Sequence, residues 1–329
     1  MSCNLCHVNP TGTGLRTYYG ISVVSQVELP ARPAALFPDY SGIVQNIIRV
    51  GGDLRIMSVS LSNSKTSSDL AVFPMQAAVY ASIAAGKAAL LLSFEALRGD
   101  VGFQFHFNNI IKDVYIKTGW AKPAYGLVLD DHTAFIRGGN IRLKKGEFLE
   151  GMPFTPFLNP TEHFEIGRQG KGVNFALSAS RGFITDRGIT YNGRLEIYPK
   201  SGDIQGFAGL SILQENDLKM AGLFGGISLN EWSWLGEIDF AENWFMGASL
   251  ASYSEIVWNY RQGWELFSRF EIFDADLEYK NDAIQRMTFG LNYVPLPLIE
   301  VKFHTRFSRI SKEKIQLNPD YLVQLHIWF

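Results

Sequence analysis

The sequence predicts an all-β fold, a transmembrane β-barrel of about sixteen antiparallel strands for a bacterial outer membrane, behind a short irregular N-terminal segment. Three observations predict it. Apolar and polar residues alternate from residue 44 to the end. Aromatic residues make up 13% of the 329 positions while charged residues fall to 19%, below the quarter usual for soluble domains. The last alternating stretch, YLVQLHIWF, ends the chain on Phe329. Length alone admits two globular domains or one large barrel, and the scarcity of charge favours the barrel. A formal net charge of −2 leaves no electrostatic footprint for nucleic acid.

Each strand announces itself by its period of two. Val101, Phe103, Phe105 and Phe107 take one face of 101–108, and Gln104, His106 and Asn108 the other. The same division sets Met287, Phe289 and Leu291 against Arg286, Thr288 and Asn292, and Phe303 and Phe307 against Lys302, His304 and Arg306. Apolar faces rich in aromatics with charged faces behind them are what a lipid-exposed wall around a wet lumen requires. A soluble sandwich would show the same alternation, so the C-terminus decides. A strand that places Tyr321, Val323, Leu325, Ile327 and a terminal Phe329 on one face resembles the closing strand of bacterial outer-membrane barrels.

The apolar run 71–97 carries Pro74, Gly86 and Lys87, and it reads as two strands meeting at Ala85-Gly86-Lys87 rather than as a membrane helix. The strand segments are then 44–61, 71–84, 86–97, 100–108, 112–121, 160–168, 172–181, 190–199, 204–214, 217–229, 231–241, 244–257, 262–273, 284–295, 298–310 and 320–329. Counting back from Phe329 makes the turns near 295, 261, 229, 201, 170, 110 and 86 periplasmic, and all are short. The long connections 62–70, 122–159, 274–283 and 311–319 fall outside, as such barrels require. Merging two segments would give fourteen strands, the runner-up. The barrel therefore occupies 44–329, and 1–43 form a separate segment broken by Pro10, Pro30, Pro33 and Pro38.

That segment holds the strongest chemical signal. Cys3, Cys6 and His7 stand in the order C-x-x-C-H, the attachment signature of a c-type haem. Two thiols at this spacing can add to the two vinyl groups of one haem, and the adjoining imidazole reaches the iron as an axial ligand. No other cysteine occurs in the chain. A C-x-x-C redox pair would want a strand before it and a helix after it, and a zinc site would draw a distant histidine. Haem c is attached outside the cytoplasm. With no basic, then apolar leader visible at the start, the numbering reads as that of a mature exported chain.

The long loop 122–159 exceeds what a connection needs and is expected to fold inward as a constriction or lie over the mouth. It carries His132 beside Asp130 and Asp131, then Arg137, Arg142, Lys144 and Lys145. His132 is the candidate second axial ligand, ahead of His106, His163, His304 and His326, and of Met57, Met75 and Met152. No hydrolase, zinc-protease or nucleotide-loop motif competes.

CNLCHVNPTGTGLRTYYG resembles the monohaem segment C-x-x-C-H-x-N-P-x-G-x-G-x-R, followed by Tyr-Gly, that precedes porin-like barrels in some outer-membrane proteins. SRFEIFDADLEYKNDAIQRMTFGLNYVPLP has the style of porin closing hairpins. The whole is similar to the fused monohaem cytochrome-porins, the group that includes outer-membrane iron oxidases. The resemblance implies one covalent haem c on Cys3 and Cys6, with His7 on the iron. It further implies an outer-membrane location with both termini periplasmic, a periplasmic cytochrome or other carrier as electron partner, outer-membrane lipid around the wall, and a homotrimer. The expected function is electron transfer between an extracellular donor or acceptor and periplasmic carriers. The alternative is a diffusion porin for small solutes in which the haem segment is a plug or sensor.

Overall fold

The computed structural model describes residues 6–9, 11, 14–33, 40–44, 47–62, 68–129, 131, 133–138, 160–184, 188–201, 204–244, 247–280, 283–310 and 319–329. Sixteen strands form the wall. They are β1 (Ile48–Ser62), β2 (Ser68–Ala85), β3 (Ala88–Glu95), β4 (Asp100–Phe107), β5 (Val114–Ala121), β6 (Thr161–Gln169), β7 (Val173–Arg181) and β8 (Ile189–Ile197), followed by β9 (Ile204–Glu215), β10 (Leu218–Leu229), β11 (Trp232–Glu242), β12 (Ala248–Arg261), β13 (Trp264–Asp274), β14 (Ile284–Leu296), β15 (Ile299–Ile310) and β16 (Asp320–Trp328). Two-residue strands at Ile43–Val44 and Lys200–Ser201 extend the neighbouring hairpins.

Every strand pairs antiparallel with its sequence neighbours. The sheet closes where β16 meets β1, from Tyr321↔Ser60 to Trp328↔Asp53. Closure leaves no open sheet edge, the condition for β-structure in a bilayer. Sixteen strands, not fourteen, is thus the count, and 71–97 forms two strands with a turn at 86–87. Among the described residues no helix is long and apolar enough to cross a membrane.

The two faces divide as alternation demands. Phe103, Phe105, Phe289 and Phe303 face outward, whereas Arg55, Lys117, Glu165, Glu271, Arg286 and Arg306 are almost wholly buried inside the barrel. Aromatic residues gather toward the ends of the outer face. Trp232 and Trp258 stack 5.5 Å apart at the short-turn end, and Tyr191 and Tyr321 lie at the other, the girdle positions of an outer-membrane wall.

The segment before the barrel departs from expectation. Residues 8–43 read as irregular because of their prolines, yet Tyr19–Glu28 form a π-type helix without a side-chain cap. Its sequence, YGISVVSQVE, has little helix propensity of its own, so tertiary packing sets it. Ile21 is buried with Val294, Leu298 and Trp328 at the short-turn end of the barrel.

Candidate functional site

Two inserts enter the lumen, one from each end. The first is the N-terminal segment. Val8 N–H donates to the Leu15 carbonyl and Thr17 N–H to the Cys6 carbonyl, both at 2.9 Å, so 6–8 and 15–17 lie side by side as the two arms of a narrow hairpin bridged at His7↔Arg16. Thr11 donates its N–H and hydroxyl to Asn9 Oδ1 at 3.3 and 3.1 Å, tightening the tip. The helix folds back beneath it so closely that a Cβ on Gly20 would sit 2.3 Å from the Cys6 carbonyl oxygen. No residue but glycine fits there.

His7 Nδ1 lies 3.4 Å from the Gly14 carbonyl oxygen. A carbonyl only accepts, so Nδ1 carries the proton, and the neutral ring then has its lone pair on Nε2, the nitrogen an iron would take. Cys6 is a half-buried free thiol. Burial pushes it up from its ordinary value, against the pull of the nearby Arg16. Cys3 lies outside the described residues.

The hairpin is fastened to both halves of the barrel floor. Lys117 Nζ donates to Thr11 Oγ1 at 3.1 Å, and Lys117 is itself paired with Glu165 at 2.8 Å. Glu165 also accepts from Tyr115 Oη at 2.9 Å and faces His163 at 3.2 Å, so a buried polar network on β5 and β6 holds the tip. At the base, the Arg16 guanidinium lies 5.0 Å over the Trp328 ring, and Trp328 Nε1 donates to Ser25 Oγ at 2.9 Å. Ala31 N–H donates to the Val294 carbonyl at 2.8 Å, and Gln262 Nε2 donates to the Val27 carbonyl at 2.6 Å. The segment thus spans the short-turn mouth from β16 to the β12–β13 turn.

The second insert is the start of the long loop, whose described residues 122–129, 131 and 133–138 fold inward rather than over the mouth. Buried loop backbone needs partners, and the charged lumen supplies them. Asn192 Nδ2 donates to the Ala124 carbonyl at 2.8 Å, Gly126 N–H to Ser211 Oγ at 2.9 Å, and Leu127 N–H to Glu237 Oε2 at 2.7 Å. Phe135 N–H donates to Glu271 Oε1 at 2.9 Å, while Arg286 pairs with Glu271 and covers the Phe135 ring at 3.9 Å. Arg137 pairs with Glu237 at 2.9 Å. Asp131 pairs with Arg269 at 2.6 Å. Burial alone would raise the Asp131 carboxyl, but Arg269, with help from His304 and Thr133, holds it well below the usual range.

The sequence-predicted ligands separate as follows. His132 lies outside the described residues, as do Asp130, Arg142, Lys144, Lys145 and Met152. Its neighbours Asp131 and Thr133 dock on β13 and β14, across the barrel from the β5 wall that holds Thr11. His106, His163, His304 and His326 all point inward. His163 faces Ser180 and Glu165, and His326 faces Glu300 and Asp53, as lining residues would. Met57 packs in a small apolar cluster with Val59 and Leu322, and Met75 joins it as the extra residue of a β-bulge opposite Arg55 and Ile56. No group of three or more His, Cys, Asp or Glu able to hold a bare metal ion occurs among the described residues. The parts played by Gly14 and Arg16 were missed from sequence. Their signal was their place at fixed offsets after His7.

Between the inserts lies a cavity of ≈ 490 Å³, bounded by Asn9, Thr11 and Gly14 below and by Tyr125 and Val128 above. Its size falls within the range of small-molecule and cofactor sites. These parts together define an outer-membrane β-barrel of the porin type, with a loop folded inward and an N-terminal segment docked at the short-turn end.

Solved structures agree on that class. OmpT of Vibrio cholerae matches 86% of this chain and 97% of its own at a TM-score of 0.59 and 11% identity. The outer-membrane channel DcaP of Acinetobacter baumannii matches 86% and 97% at 0.57 and 10%. An anion-selective porin from Comamonas acidovorans matches 86% and 99% at 0.57 and 9%. At these identities the likeness is one of fold. No protein-family model matches the chain, and no curated protein does.

Proposed function

We propose that this barrel carries one c-type haem, attached through Cys3 and Cys6, and passes electrons between an extracellular donor or acceptor and periplasmic carriers. One observation carries the reading: Thr11, four residues after His7, is held by Lys117 of the lumen wall, and His7 Nδ1 is turned to the Gly14 carbonyl. A bilayer core of about 30 Å separates soluble carriers on the two sides, and a redox centre within the barrel divides that distance. The haem would supply a one-electron couple. The chain's own part is to hold it: Lys117 and Thr11 pin the tip, and Trp328, Arg16 and Ser25 fix the base. His7 would bind the iron in this reading, and His132 is offered as a second ligand.

A second reading, a diffusion porin for small solutes with the hairpin as plug or sensor, is favoured by the likeness to porins and channels and by the charged lumen. A single preparation separates the two. Protein made in a strain able to attach haem c, washed under denaturing conditions, should keep a reducible visible spectrum that Cys6→Ala abolishes. In sealed vesicles it should relay electrons from a membrane-impermeant donor, and His132→Ala should convert low-spin to high-spin iron. Absence of covalent haem, with ion conductance that ignores Cys6→Ala, would leave the porin reading alone.

A further inference from the structure

One seam of the wall is short. β4 and β5 share four residue pairs, Gln104↔Gly119 to Phe107↔Ile116, where the next shortest ladder between neighbours among the sixteen wall strands, β6 with β7, has seven. At the long-loop end, residues 100–103 and 120–121 have no ladder partner across this seam. Gly119, at φ +132°, marks where the ladder stops. Two strands back, the ladder between β2 and β3 ends at Ala78↔Glu95 while β2 continues to Ser68. β2 therefore rises above the β3–β4 hairpin while β5 stops at Ala121, and this step, together with the unladdered β4–β5 seam, notches the rim.

Two cavities meet at the notch. The inner one, between plug and loop, extends along Met75 and Leu91 to Phe94 at the wall. An outer one of ≈ 1080 Å³ lies against Phe103, Phe105, Phe164 and Ile189, whose side chains face the bilayer. Trp120 lines both. Its ring stands 6.4 Å from that of Phe103, so this pair closes the gap between them. The Glu162–Arg181 ion pair, at 3.5 Å, sits at the long-loop end of the outer groove, where head groups begin.

We propose that the notch is a lateral portal for one acyl chain of an outer-membrane lipid, which lies in the outer groove and passes Trp120 into the inner cavity. The occupant follows from continuity: the outward side chains Phe103, Phe105, Phe164 and Ile189 carry the lipid-facing wall into the groove, with Glu162 and Arg181 at its head-group end, and a molecule arriving at this depth comes from hydrocarbon. Water-soluble solutes would instead enter past the loops, through a charged lumen. The portal stands whether or not the hairpin carries haem.

The test uses the full chain in vesicles whose phospholipid bears a diazirine at the end of one acyl chain, with adducts mapped by peptide mass spectrometry after irradiation. Adducts are expected on Phe103 and Phe164 outside and on Met75, Leu91 and Val128 inside, and Trp120→Ala should raise the inner share several-fold. Adducts confined to outward residues would overturn the portal, and the wild-type map decides this even if the variant fails to fold. A groove empty of label in protein that cross-links across β3–β5 would also overturn it, because a second copy would then cover the notch.

Discussion

Asp131 shows how a single carboxylate can govern a whole insert. It is held ionised by Arg269 and donated to by Thr133 N–H at 2.8 Å, so its docked form titrates below its undocked form. For a depressed carboxyl the stabilisation is complete above the undocked value, about pH 4, and is lost as pH falls through the lower docked value. Docking of 122–138 should accordingly be constant from neutrality to about pH 4 and weaken below it. Pepsin cleavage within the loop, followed against pH, measures this. Asp131→Asn should cleave faster above the docked value, converge on the wild type as pH falls through it and so show a flatter profile, and an unchanged acid profile in that variant would assign the effect elsewhere. Residue chemistry of this kind was only half legible. The sequence presents Asp131 beside His132, but the partner Arg269 lies 138 positions away, and no local pattern reports a contact between a loop and a distant wall.

Among elements, the inward loop depends on one backbone position. Gly126 has φ +53°, and a Cβ there would stand 1.8 Å from Glu237 Oε1, the carboxylate that receives Leu127 N–H and Arg137. Gly126→Val should undock the loop at a cost of about 1–3 kcal/mol of backbone strain, beyond the steric clash with Glu237. Faster trypsin cleavage at Arg137, in a barrel whose heat resistance is unchanged, is the expected result. Cleavage at the wild-type rate would show that the loop is held by its other anchors. Strands were far more legible than this loop, because each needs only its own period of two, and that period survives any detail of packing. Their ends were less so: the connection expected at 62–70 shrinks to 63–67, since β1 and β2 run on together to Ser62↔Ser68. The helix at Tyr19–Glu28 was illegible because its stability comes from Val294, Leu298 and Trp328, not from its own residues.

For the whole molecule, the count of strands and the alternation of short and long connections followed from sequence because closure in a bilayer allows few solutions. Where the N-terminal segment sits did not follow, since a motif of three residues carries chemistry but no address. The N-terminal segment packs Ile21 on apolar floor residues, and its helix takes no part in the sixteen-strand ladder. Removal of residues 1–30 should then leave the barrel folded and raise its single-channel conductance in planar bilayers. Equal conductance before and after removal would mean that ions pass the plug freely, or that the inward loop alone sets the pore.

The pocket that receives the plug is built from both ends of the barrel. Phe329 exchanges backbone hydrogen bonds with Gly52, at 2.8 and 3.0 Å, and the adjoining Trp328 reaches Ser25 across 303 positions. The β14–β15 turn with Val294 and Leu298 is local, but Trp328 and Phe329 take their places against Gly52 where β16 pairs with β1. The N-terminal segment, though it precedes every strand in the sequence, thus meets its full set of partners only in the closed wall.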